Sequence, residues 1–413
     1  MAKTFPSPTL TAKTIVEYFS KESSELIGLE IGPGTAFAWI LQNSVERFVA
    51  IVTDPQVERG AVGLAEVAQM RAALKLAQQQ RLPVVWLLDT SGIRVTEGVA
   101  GIAALRRLVQ TVTRLRLDGI RMLAVNLGSV FGGMSMIAAL CECCIVHEDA
   151  LMAVSGPRLI AAADTNGVFE AADLTIVRNL IGGRARAERS HNVLCVSAED
   201  AVIAEQIGAW LGRAPLTPTS GSLLLSAGEL ASRLKAGTKF SERESPTALG
   251  ATASGRGSGP IFVLENSLGV TAASCLDLAD KVLAIAPTLP ASRGITIQLD
   301  APGHSSAPED EALHLGEYLA HLALVIAVVV RSGTAIDVVV TGSGGGAIQG
   351  ALGGPATTVA MYPEAVLHVL SPAALAALHK GAPRTEPASL SEALLCGASD
   401  FQFPQPEPQD VVE

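Results

Sequence analysis

Pro83-Val-Val-Trp-Leu-Leu-Asp89-Thr-Ser-Gly92 leads, through an apolar helical stretch, to Met122-Leu-Ala-Val-Asn-Leu-Gly128-Ser-Val-Phe-Gly132-Gly133-Met-Ser. The same order of events returns late in the chain. Gly294-Ile-Thr-Ile-Gln-Leu-Asp300-Ala-Pro-Gly303 leads through a second apolar stretch to Ile336-Asp-Val-Val-Val-Thr-Gly342-Ser-Gly-Gly-Gly346-Ala347-Ile. Each copy reads as a strand, an Asp-containing turn, a helix, a second strand and a glycine turn that opens another helix. The Asp-to-glycine spacing is nearly equal in the two copies. Such a tandem repeat predicts two similar α/β lobes of parallel strands and helices.

Outward from the first copy, Thr35-Ala-Phe-Ala-Trp and Val49-Ala-Ile-Val-Thr53 alternate as paired strands do. Gly60-Ala-Val-Gly63 opens a helix with apolar residues every three to four positions. From Ala214 the texture changes to Pro, Thr, Ser and Gly, with one helix expected at Leu223–Leu234. The organisation expected is a first lobe over 1–213, a linker over 214–260, a second lobe over 261–397 and a disordered Pro-rich tail over 398–413.

A chain of 413 residues is long enough for two cores. Its formal net charge of −10 argues against nucleic acid as the main partner. The most apolar run, Leu322–Val330, is too short to span a bilayer and reads as a buried helix, so no membrane partner is expected. Cys141 and Cys144 have metal-ligand spacing but no second pair to complete a zinc ribbon, so no metal site is expected. A reduced, cytoplasmic setting is the simplest inference from that cysteine usage.

The two glycine turns carry the chemistry. A strand that ends in glycines before a helix lets a ligand atom approach without a Cβ in the way. The helix leaves its first amides unpaired, at the positive end of its dipole. A thioester carbonyl placed there converts more readily to an enolate, each donor contributing about 3 kcal/mol to the transition state. The expected donors are the amides of Gly132 and Gly133 in the first lobe, and of Gly346 and Ala347 in the second, with Gly345 shaping the turn.

At this point a resemblance becomes specific. Gly60-Ala-Val-Gly63, Leu87-Leu-Asp-Thr-Ser-Gly-Ile-Arg94-Val-Thr-Glu97, Val130-Phe-Gly-Gly-Met-Ser135, Ser155-Gly-Pro157 and Gly182-Gly-Arg184 are similar to the β subunit of biotin-independent malonate decarboxylase. Leu299-Asp-Ala-Pro-Gly303, Asp310-Glu311, Gly344-Gly-Gly346, and Leu370-Ser-Pro-Ala-Ala-Leu375 with Lys380 and Pro383 resemble its γ subunit. The resemblance implies two tandem crotonase-like domains of the carboxyltransferase type, built from repeated ββα units. It implies decarboxylation of a malonyl thioester, on acyl carrier protein or coenzyme A, to an acetyl thioester. One glycine turn would hold the thioester carbonyl and the other the departing carboxyl group. No covalently bound cofactor is implied; the substrate brings the phosphopantetheine thioester. An acyl carrier protein and a homo-oligomer are the implied partners.

The matched segments add Asp89, Gly92, Arg94, Phe131, Asp300, Gly303 and Arg184 as candidates for binding substrate or carrier. Asp89 and Asp300 also suit capping of the backbone amides that follow them. His304 is a candidate donor for the proton that the enolate carbon must receive, alongside a bound water. Arg106, Arg107, Arg114, Arg116 and Arg121 lie on or beside one helix and read as a solvated face, or as a dock for an acidic carrier. Two other functions fit the same pattern: a biotin-dependent acyl-coenzyme A carboxyltransferase subunit, with biotin on another protein, and a non-catalytic scaffold that binds acyl carriers.

Overall fold

The computed structural model describes residues 15–16, 19, 27–29, 36–42, 46–213, 226–237, 251–252, 259–290, 293–378 and 387–402. Lys380 and Pro383 of the matched segments lie outside these residues.

The first sheet is ordered β1 (Ile27–Leu29), β2 (Ala36–Gln42), β3 (Arg47–Thr53), β4 (Val84–Thr90), β5 (Met122–Phe131), β6 (Cys143–His147) and β8 (Val193–Val196). A short strand, β7 (Leu151–Ala153), pairs with the far end of β5. Pairing is parallel from β3 to β8, and antiparallel between β1, β2 and β3. β4 is apolar from Val84 to Leu88 because both its faces are covered. Val84, Trp86 and Leu88 face the helices Leu64–Gln80 and Val99–Leu117, while Val85 and Leu87 face Ile203, Ile207 and Trp210 of the helix Asp200–Leu211.

The second sheet is ordered β16 (Phe401–Gln402), β14 (Thr358–Met361), β12 (Ile336–Val340), β11 (Ile295–Asp300), β10 (Ile261–Glu265) and β9 (Ala251–Thr252). A separate parallel pair joins β13 (Ser343–Gly345) to β15 (Val366–His368). β11 alternates: Ile295, Ile297 and Leu299 are buried, and Thr296, Gln298 and Asp300 are half-buried. Its buried side chains join the helices Ala272–Ile285 and Leu315–Arg331 in one core.

That core is continuous between the lobes. Leu105, Leu108 and Val109 of the first meet Leu319, Ile348 and Leu352 of the second in the same apolar cluster. The Leu322–Val330 run falls on the helix Leu315–Arg331, whose residues up to Ala327 are all buried. Each fully buried Leu or Val there contributes roughly 1.5–3 kcal/mol relative to exposure. No described helix is long and apolar enough to cross a membrane.

Two expectations need correction. The segment 214–260 is not a free linker where it is described: its helix, at Ser226–Gly237, buries Leu230 in the common core, and β9 extends the second sheet. The disordered tail does not begin at 398. Arg106 holds Asp400 in a two-pronged pair, at 2.9 and 2.6 Å, and β16 pairs in parallel with β14. Residues 403–413 lie outside the described residues.

Candidate active site

The repeat seen in the sequence is a repeat of hydrogen bonds. Asp89 Oδ1 accepts the Ser129 amide at 3.0 Å, and Asp300 Oδ1 accepts the Ser343 amide at 2.7 Å. Each carboxylate occupies the space a side chain would need at the glycine just before that serine. A Cβ on Gly128 or Gly342 would come within 2.4 Å of it. The two aspartates therefore cap amides far along the chain, not those that directly follow them, and they fix where the next strand bends into its glycine turn. Burial pushes the Asp89 carboxyl upward, against the lowering effect of the Ser129 amide.

The loops opposite repeat too. Val62 bridges Ile93, and Val270 bridges His304, both in parallel. Gly132 and Gly346 take left-handed φ values of 61° and 55°. A Cβ at Gly132 would sit 3.5 Å from Gly92 Cα, and one at Gly346 would sit 3.5 Å from Gly303 Cα. Gly92 and Gly303 are thus the floor on which the two turns rest. At Gly345 a Cβ would lie 1.9 Å from the His368 carbonyl oxygen, so the turn passes too close to that strand for a side chain.

The donors differ from those expected. The Gly132 amide is spent on the Val154 carbonyl at 3.0 Å, so it is not available to a ligand. Among the described residues, the Gly133 and Ile93 amides have no such partner. Ile93 N lies 3.8 Å from the Cβ position of Gly132, beside the turn. The uncommitted amides beside the first turn are therefore those of Gly133 and Ile93, and Gly132 supplies the conformation. Sequence reading missed Ile93 because an isoleucine advertises packing, while its contribution here is a main-chain N–H. In the second lobe the Ala347 amide is already engaged, donating to His304 Nδ1 at 3.3 Å.

Other candidates are tied up. Arg94 is held by Glu66 at 2.9 Å, Glu97 at 2.7 Å and Glu58 at 2.5 Å, which raises its already high pKa further. Phe131 packs against the cluster of Ala153, Ile160 and Phe169. Arg184 pairs with Glu148 at 3.0 Å in a surface depression with Asp149 and Arg178, and no residue of either glycine turn lines it. The arginines of the Val99–Leu117 helix are mostly internal clamps, which corrects both readings offered for them. Arg106 donates to Gly353 O and Gly397 O, Arg107 to Cys396 O, and Arg116 pairs with Glu142. Arg121 donates to three carbonyls at the end of the Asp200–Leu211 helix and stacks 4.3 Å over Trp210.

One residue matters more than its sequence suggested. Glu311, fully buried on the second lobe, accepts the Val154 and Ser155 amides of the first at 3.2 and 2.5 Å. Val154 in turn takes the Gly132 N–H. Burial pushes the Glu311 carboxyl up to about 7, although Arg186 and the two amides pull it down. Near it, Glu317 pairs with Arg233 at 2.8 Å and lies 3.6 Å from the buried Arg186. Leu105 touches both turns' helices: a Cβ on Gly133 would meet it at 2.6 Å, and one on Gly350 at 2.8 Å. The two glycine-headed helices are thus packed together inside one chain.

Residues 46–222 match the carboxyl transferase domain family, and the mixed α/β fold is of that crotonase-like type. The acetyl-coenzyme A carboxylase carboxyl transferase subunit beta of Carboxydothermus hydrogenoformans is 31% identical over 34% of this chain and 49% of its own length. The fused subunits beta/alpha of the same enzyme from Salinispora tropica are 27% identical over 88% of this chain and 72% of theirs. A malonyl-S-ACP:biotin-protein carboxyltransferase from Malonomonas rubra is 28% identical over 26% of this chain and 35% of its own. The chain spans about half the length of the first beta subunits it matches, 49% and 55%.

Proposed function

We propose that the chain moves the carboxyl group of a malonyl-type thioester to or from a carboxybiotin borne by another protein. The observation that carries this reading is the pair of uncommitted amides, Ile93 and Gly133, on a turn held rigid by Asp89 and Glu311. The bond between the α-carbon and the carboxyl group breaks, and its electrons flow into an enolate whose oxygen accepts both N–H groups. The carboxyl carbon leaves at the oxidation level of CO2 and is captured by the ureido nitrogen of biotin, which gives up a proton. A proton from water then completes the acetyl thioester. In the opposite direction the same enolate takes up the carboxyl group. Preorganised donors of this kind contribute on the order of 10²–10³ each in rate. In this reading the biotin arrives on a partner protein. The fused beta/alpha relative, matched over 88% of this chain, supports one polypeptide serving both lobes.

A second reading keeps the enolate and drops biotin: the carboxyl group simply leaves as CO2, as the motif resemblance to malonate decarboxylase implies. An acyl carrier protein fits either reading as the thioester's bearer, and the site would lie between the lobes in one chain or across a homodimer. The test is to incubate the chain with malonyl-coenzyme A and with malonyl carrier protein, each with and without a biotinylated carrier, and to follow acyl masses. Loss of the mass of CO2 only with the carrier supports transfer. Loss without it supports decarboxylation. Intact malonyl groups throughout, with the carrier proteins bound, would leave the non-catalytic scaffold.

A further inference from the structure

His304 occupies in the second lobe the place that Ile93 holds in the first, by the equivalence of the Val62–Ile93 and Val270–His304 bridges. In the first lobe an apolar side chain leaves the Gly133 amide open. In the second an imidazole comes down on the corresponding amide, that of Ala347, at 3.3 Å. Gly346 makes room for the ring, since a Cβ there would sit 2.9 Å from Nδ1. A ring nitrogen that accepts a hydrogen bond carries no proton, so the neutral ring holds its proton on Nε2. Among the described residues the ring's hydrogen bond is the one at Nδ1, which leaves Nε2 for a ligand, and the residue is half-buried, not sealed in.

We propose that His304 Nε2–H, and not the Ala347 amide, is the donor the second lobe presents to a carbonyl or carboxylate oxygen of its ligand. This rests on the paired-site reading above. The amide fixes the tautomer and aims the ring, as an orienting partner does for imidazoles at other sites. The helix dipole behind Ala347 polarises the ring toward the ligand. Burial pulls the imidazole down to about 4, so at pH 7 it is neutral. The imidazolium that would protonate an enolate is then scarce, and the expected general-acid role gives way to hydrogen bonding by a neutral ring. No covalent bond to the ring forms, and the ring's charge does not change. Such a donor suits an oxygen acceptor and gives nothing to a cation or an amine.

The full chain carrying ¹⁵N-histidine, with H304Q to assign the resonance, is titrated with malonate and, separately, with acetyl-coenzyme A. The expected result is that one of these shifts the Nε2 resonance of His304 while Nδ1 stays in the acceptor range. If neither moves it, the proposal is overturned. Shifts of the Gly133 amide in a uniformly ¹⁵N-labelled sample, without any at His304, would overturn it and leave the first-lobe donors standing. A His304 shift without turnover of malonyl-coenzyme A or malonyl carrier protein, with the biotinylated carrier present, would sink the carboxyl-transfer reading and keep His304 as a binding group. In kinetics, H304L keeps bulk but neither accepts nor donates, and should lose about 100-fold in kcat/KM. H304Q retains an acceptor for Ala347 and a donor beyond it, so it should lose clearly less. An H304L enzyme equal to wild type would overturn the assignment.

Discussion

Glu311, carried by the second lobe, accepts the main-chain amide of Ser155 in the first at 2.5 Å, with both groups buried. Through Val154 this contact reaches the Gly132 turn, so one lobe braces the glycine turn of the other. Replacing the carboxylate by a carboxamide turns one acceptor into a donor facing an N–H. E311Q should lose about 1–3 kcal/mol of stability.

The pH dependence of that loss has a definite sign. The folded carboxyl titrates near 7, above the 4.5 of an ordinary glutamate, because burial disfavours its charge. Between those values the folded state keeps a proton that the unfolded state has released, so this group's contribution to stability falls as pH rises from about 4.5 to 7. Urea unfolding of wild type and E311Q across that window should show the gap narrowing as pH rises. A gap that widens would contradict the assignment of the raised carboxyl to Glu311.

His314 works in the opposite sense. It is fully buried with a left-handed φ of 66°, and burial followed by the nearby Arg186 charge lowers its imidazole to about 3. Glu317 opposes the lowering, at 3.4 Å, while Arg233 adds to it. The unfolded chain gains this proton below about 6.5 and the folded one does not, so stability is lost as pH falls from there. H314N tolerates the left-handed backbone and removes the titration. Relative to H314N, wild type should therefore lose stability as pH falls from 6.5 to 4, as read by chemical denaturation of both proteins at each pH.

Much of this organisation was legible in the residues. The repeated Asp and glycine positions predicted two lobes, and Asp89 and Asp300 do take equivalent hydrogen bonds. The run from Val84 to Leu88 was legible as a strand, and the structure covers both its faces. What could not be read were contacts between distant segments. Nothing local in Arg106 tells that its guanidinium closes on Asp400, or in Ile93 that its amide faces a turn some forty residues on. The Pro-rich composition around 404 likewise outweighed Asp400, whose order depends on a partner in the other lobe. Composition reports local preference, while these positions are set by tertiary pairing.

The Arg106–Asp400 clamp makes a test of lobe cohesion. Arg106 also satisfies the carbonyls of Gly353 and Gly397, at 3.1 and 3.0 Å, so its removal strands acceptors at the lobe boundary. R106M keeps most of the aliphatic stem. It should cost about 1–3 kcal/mol, with D400N costing less because Asp400 is partly solvated. Thermal unfolding of both variants checks the order, and an R106M protein as stable as wild type would show that the clamp is incidental.

The sharpest test of the first-lobe donors removes one N–H without removing the turn. Gly133 opens its helix, a position where proline is tolerated because the amide has no helical partner. The obstacle is Leu105, whose methyl lies 2.6 Å from the Cβ position of Gly133. G133P is therefore built in an L105A background, with L105A alone as the reference. The double variant should unfold within a few degrees of L105A, because no intramolecular hydrogen bond is lost. Its kcat on malonyl-coenzyme A should nevertheless fall by roughly 10²–10³, the scale expected when one preorganised donor to an oxyanion disappears. Retained kcat in a folded double variant would mean that the enolate oxygen does not meet the Gly133 amide.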